Sequence, residues 1–145
     1  MAITVKKIIL WRAEVENKPG ALASTLERPA QAGADLKIVM GYRHAAAERK
    51  AAIEVFPISG RKAASAAAAA GLSAAEIPAL LVEGDNRPGL GHKVAQAIAA
   101  AGINLAFFMG QVIDRKFAAV IGFETEDDAR KAAPVIKKGV KGAKA

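Results

Sequence analysis

Glu16-Asn17-Lys18-Pro19-Gly20 and Asp85-Asn86-Arg87-Pro88-Gly89 are one device used twice. Each follows an apolar, β-branched run and precedes a run of small residues that stops at a glycine, Gly33 or Gly102. Proline cannot extend a central strand but suits the first turn of a helix, where its missing N–H costs nothing. Glycine after the last helical residue is a common stop. Each stretch therefore predicts a strand-to-helix turn.

Working outward, the two copies align at an offset of 69 residues, from Asn17 to Asn86. At that offset Pro19, Gly20, Gly33 and Leu36 fall on Pro88, Gly89, Gly102 and Leu105, and Lys18 falls on Arg87. Agreement among several special-geometry residues at one period marks an internal repeat. Residues 5–15 read as one strand. A helix over 20–32 carries Leu22 and Leu26 on one face and a distorting Pro29. Residues 35–42 and 50–56 read as a hairpin, and an alanine-rich helix follows over 61–70. Residues 76–83 form the next strand. The second copy repeats the pattern with a helix over 90–101, strands over 103–112 and 117–123, and a helix over 127–138. Its shorter hairpin changes the offset to 67, placing Phe56 on Phe123.

This order predicts an α+β fold of two tandem ferredoxin-like βαββαβ units with antiparallel sheets. The domains are residues 1–75 and 76–138, followed by a basic flexible tail over 139–145. A full unit needs a fourth strand, yet residues 76–83 must also open the second copy. The units are therefore expected to share or exchange an edge strand, with residues 1–5 lengthening the first strand or pairing elsewhere. Open sheet edges favour further association, so a homodimer through sheet edges or helices is expected.

Composition excludes several function classes. The 145 residues contain no cysteine, which removes disulfides, thiol catalysis and thiolate zinc sites. Two distant histidines, His44 and His92, have no metal-ligand spacing, so neither a metal nor a cofactor is expected. Ser24, Ser59, Ser65 and Ser73 lack a nucleophile context. Gly89-Leu90-Gly91 is not a dinucleotide fingerprint. No apolar run is long enough to span a membrane and no leader is evident, which predicts a cytoplasmic protein without a membrane partner. The net charge of +7 is scattered apart from Lys137, Lys138, Lys141 and Lys144, and it is not interleaved with aromatics. Nucleic acid is therefore not the expected partner.

The turns are left as the small-molecule site. A helix start presents outward N–H groups and a positive dipole end that favours a carboxylate. Gly20 and Gly89 carry no side chain to screen them. Asn17 and Asn86 offer both donor and acceptor groups, which suits a zwitterion. The same residues equally suit turn and cap chemistry that needs no ligand.

Asn17-Lys18-Pro19-Gly20-Ala21-Leu22 with Gly33-Ala34-Asp35-Leu36, and Asn86-Arg87-Pro88-Gly89-Leu90 with Gly102-Ile103-Asn104-Leu105, resemble the ACT domain family. The layout is similar to its small stand-alone tandem proteins. The resemblance implies effector amino acids bound near the first loop and first helix, against a neighbouring ACT unit. Carried over, it implies ligand-binding roles for Asn17, Gly20, Ala21 and Asp35, and for Asn86, Gly89, Leu90 and Asn104. The first copy departs at Ala34-Asp35, where Ile-Asn is usual, and at Pro29. The second departs at Gly91, which stands where the first has Leu22. The second turn is the closer match and the first place to look. The expected function is that of a non-catalytic regulatory or sensory protein with a small amino acid as effector and a regulated enzyme as partner. The alternative is a structural or protein-interaction module with no small-molecule ligand.

Overall fold

The computed structural model describes residues 3–44 and 46–141. In chain order the elements are β1 (Ile3–Ile8), β2 (Trp11–Glu16), α1 (Ala21–Gln31), β3 (Ile38–Arg43), β4 (Lys50–Phe56), α2 (Arg61–Ala69), β5 (Ser73–Ala74), β6 (Ala79–Asp85), α3 (Leu90–Ala100), β7 (Phe107–Ile113), β8 (Lys116–Gly122) and α4 (Glu126–Lys141). They form two tandem ferredoxin-like units with antiparallel sheets. The first unit is Ile9–Ala75, and the second joins the N-terminal residues through Ile8 to the chain from Glu76 onward.

The first unit has the strand order β3-β4-β2-β5. Its fourth strand is only Ser73–Ala74, paired with Trp11 and Arg12. Ala13, Ile53, Val55, Ala67 and Leu72 form the buried core, flanked by Trp11, Val15, Leu26 and Leu36. The covered side of α1 is the stripe Ala21, Thr25 and Pro29, spaced four apart as a helix face requires. Thr25 satisfies its buried hydroxyl by donating to the Ala21 carbonyl at 3.0 Å. Leu22, expected on one face with Leu26, is exposed. The helix runs through Pro29 to Gln31.

The second unit has the order β1-β6-β8-β7. Its core is larger, built on Leu80, Val82, Leu90, Val94, Ile98, Phe117, Ile121, Phe123 and Ile136. The α3 stripe is Leu90, Val94 and Ile98.

Three expectations are corrected. The single strand expected over 5–15 is two strands serving different sheets. Ile3–Ile8 pairs antiparallel with Ala79–Gly84, and Trp11–Glu16 pairs with Lys50–Val55. That exchange resolves the shortage of strands between the copies. Residues 79–85 serve the second sheet alone, and the N-terminal strand supplies its missing edge. Lys7 also forms an ion pair with Glu126 at the start of α4.

The hairpin offset is 66, not 67. Ile38 lies opposite Phe56, and its equivalent Phe107 lies opposite Gly122. A one-residue slip sends every side chain to the other face, so this register decides which residues are comparable. A Cβ on Gly122 would come within 2.2 Å of the Phe107 ring, so bulk at this pair sits on one strand only.

Third, the helix expected to end at residue 138 continues to Lys141, with Val140 buried in the core. A Cβ on Gly139 would lie 2.6 Å from that of Ala97, so this glycine permits close approach of α4 and α3. Of the basic tail expected over 139–145, residues 142–145 lie outside the described ones.

Candidate functional site

Both turns are built by the main chain. Asn17 N–H donates to the Arg49 carbonyl at 2.7 Å, and Asn86 N–H to Arg115 at 2.8 Å, so each latches the hairpin of its own sheet. Gly20 and Gly89 occupy the helix N-cap positions with φ of 85° and 84°, a left-handed conformation that disfavours any side chain. Neither α1 nor α3 has a side-chain cap. The first helical N–H is tied back into the turn, from Ala21 to Lys18 at 3.2 Å and from Leu90 to Arg87 at 3.1 Å. The Asn17 amide also donates to the Glu48 carbonyl at 3.3 Å. Its own carbonyl oxygen remains an acceptor.

Beside the first turn is a cavity of about 240 Å³ between the start of α1 and the sheet. It is lined by Val15, Asn17, Lys18, Ala21, Leu22, Gly41, Tyr42, Arg43, Ala51, Ala52 and Ile53. Strand alternation places Val15, Gly41, Arg43, Ala51 and Ile53 on the helix-covered face. Tyr42 and Ala52, which also line the cavity, alternate to the other face. The volume is below the ~300–1,000 Å³ of pockets for drug-sized ligands, which suits something smaller. Lys18, among the lining residues, is exposed and lies 3.5 Å from Glu16.

Of the eight residues singled out by sequence, Asn17 and Ala21 line this cavity, and Gly20 joins them in the turn. Asp35 and Asn104 fall in the connections after α1 and α3, ahead of β3 and β7 rather than at their starts. The 11 residues of α1 span about 16 Å, so Asp35 sits at the opposite end of its unit from Asn17. It is exposed and paired with Lys37 at 2.6 Å. Asp35 lines a separate hollow of about 430 Å³ with Lys37, Ser59 and Arg61, and an open groove of about 640 Å³ runs between α1 and α2 over Arg28, Arg61 and Ala66. In the second turn Asn86 and Gly89 are exposed, but the Leu90 side chain is only 2% exposed and belongs to the core. Asp85 is held by Lys116 at 2.6 Å, and that hydrogen bond and charge lower its pKa below the usual carboxylate value.

One polar cluster escaped the sequence reading. Glu54, in the middle of an apolar strand, is 1% exposed on the sheet face opposite the helices. It accepts a hydrogen bond from the Tyr42 hydroxyl at 3.1 Å, and its other oxygen lies 3.9 Å from Arg12 Nε. Partial burial and then the Glu54 charge raise the Tyr42 pKa. The readable signal was a single acid amid Ile53 and Val55. Among the described residues, no group of three or more His, Asp or Glu is placed to hold a metal, and no helix is long and apolar enough to cross a membrane.

No protein-family model and no curated protein matches the chain. Solved structures do. A protein from Bacteroides thetaiotaomicron superposes with a TM-score of 0.70 at 18% identity, over 90% of this chain and 87% of its own. The ligand-free regulatory subunit of aspartate kinase from Thermus thermophilus gives 0.61 at 17% identity, over 94% and 95%. The corresponding subunit from Thermus flavus gives 0.56 at 18%, over 95% of each chain. The fold resembles that of ACT-domain regulatory subunits. The likeness spans nearly the whole length of both partners, so it takes in both units.

Proposed function

We propose that this chain is a non-catalytic regulatory or sensory protein that binds an amino acid at its first turn, beside Asn17, Gly20 and Ala21. The observation that carries the reading is the cavity there, lined by apolar residues together with Asn17, Lys18 and Arg43. Support comes from the fold likeness to regulatory subunits of aspartate kinase. Gly41, Tyr42 and Arg43 belong to β3, an edge strand of its sheet. A second copy of the chain pairing along that edge would close the cavity. A regulated enzyme is the natural recipient of the signal.

A second reading has its own observation. Asn17 and Asn86 both spend hydrogen bonds on latching hairpins, and β7 exposes Phe108, Val112 and Ile113 at the edge of its sheet. This fits an interaction module without a ligand. A thermal-shift screen of the full chain against the twenty amino acids separates the two. The regulatory reading expects at least one amino acid to raise the transition temperature, with the effect lost in Asn17→Ala. The interaction reading expects none to do so.

A further inference from the structure

The two sheets can be superposed residue by residue on their registers, and the comparison explains why the first turn is hollow. Ala51 pairs with Val15 and Arg43, and Phe117 pairs with Gly84 and Val112. Val15 and Arg43 precede Gly84 and Val112 by the repeat offset, so Ala51 and Phe117 are equivalent. On the helix side, Ala21 and Leu90 are the first residues of α1 and α3, each following its left-handed glycine. In the second unit, Leu90 and Phe117 are both buried in the core. In the first unit, alanines stand at both places and line the cavity.

We propose that the cavity takes an amino acid with a bulky apolar side chain, of leucine to phenylalanine size, and that this side chain fills the place occupied in the second unit by Leu90 and Phe117. The proposal rests on the regulatory reading above and deepens it. The floor groups Val15, Ala21, Ala51 and Ile53 offer no partner to a charged or hydrogen-bonding side chain, and burying one unpaired there is unfavourable. The polar side chains that line it on this face are Asn17, Lys18 and Arg43. Lys18 and Arg43 are donors suited to a carboxylate, and the Asn17 carbonyl oxygen is an acceptor suited to an ammonium. The ligand therefore lies with its charged end outward and its side chain under α1, completing a core that the sequence leaves short. In the second unit Leu90 and Phe117 themselves fill the equivalent space.

Isothermal titration of the full chain with leucine, phenylalanine, glycine, aspartate and lysine tests this, alongside Ala51→Phe and Ala21→Leu, with circular dichroism to establish that each variant is folded. Leucine or phenylalanine is expected to bind about 10- to 100-fold more tightly than glycine, the range set by burying one apolar side chain. Either filling substitution should abolish that binding while the dichroism spectrum stays unchanged. Two alanine positions provide the test twice, so failure of one variant to fold leaves the other. Tighter binding of glycine, aspartate or lysine, or undiminished leucine and phenylalanine binding in a folded filling variant, overturns the inference and leaves the regulatory reading standing. If none of the five binds and none of the twenty amino acids raises the transition temperature in the thermal-shift screen, the regulatory reading falls with it.

Discussion

Ala51 and Phe117 occupy the same position in the two sheets, the first lining a cavity and the second buried in a core. A tandem repeat thus supplies its own control. The same backbone device is filled in one copy and open in the other. If the second copy depends on that filling, Phe117→Ala should destabilise the chain by about 3–5 kcal/mol, as large-to-small core changes do. Urea denaturation measures this. A cost well under 1 kcal/mol would mean that the Phe117 ring does not support its core.

The exchanged strand makes a regional prediction. Val5 pairs with Val82 and packs against the second core. Val5→Asp should cost about 1–3 kcal/mol by burying an unpaired polar group. Amide hydrogen exchange should quicken in residues 79–85 and leave residues 50–56 unchanged. Equal acceleration in both strands would contradict the pairing.

Much of this fold was legible because it rests on residues that allow few alternatives. Pro19-Gly20 and Pro88-Gly89 mark strand-to-helix turns wherever they fall, and their fixed distances from Gly33 and Gly102 set the helix lengths. The split of residues 5–15 was not legible. Ile8, Ile9, Leu10 and Trp11 read as a continuous strand, and local preference carries no information about which sheet a strand joins. The hairpin offset was misread because matching Phe56 to Phe123 satisfied residue identity, whereas the ladder aligns Phe56 with Gly122. The candidate site was half legible. Asn17 and Gly20 announced the turn, but the cavity depends on the small size of Ala21 and Ala51, and alanine in an alanine-rich chain gives no signal by itself.

The buried acid on the other sheet face should be costly to disturb. Glu54→Ala leaves the Tyr42 hydroxyl without its acceptor and Arg12 without its nearest buried counter-charge. A loss of about 1–3 kcal/mol is expected in thermal or chemical denaturation. Glu54→Gln keeps an acceptor for Tyr42 and should lose less. Equal losses would show that the charge, rather than the hydrogen bond, sets the cost.

The second turn carries a pH signature. Lys116 lowers the Asp85 pKa in the folded chain. The proton binds the unfolded chain more tightly, so the stabilising contribution is fully present above the ordinary aspartate pKa of about 4. It is lost as pH falls through the lowered folded value. Carboxyl carbon shifts followed by NMR should show Asp85 titrating below the usual range in the native protein and moving up in Lys116→Met. An unchanged midpoint would remove the ion pair from the account.

The most direct test of the central claim is an amide ¹H–¹⁵N titration of the full chain with phenylalanine and leucine. The account predicts saturable shifts in residues 15–22, 41–43 and 51–53, with residues 84–91 and 110–119 unmoved. Shifts centred on the second turn, or no saturable shift anywhere, would contradict it.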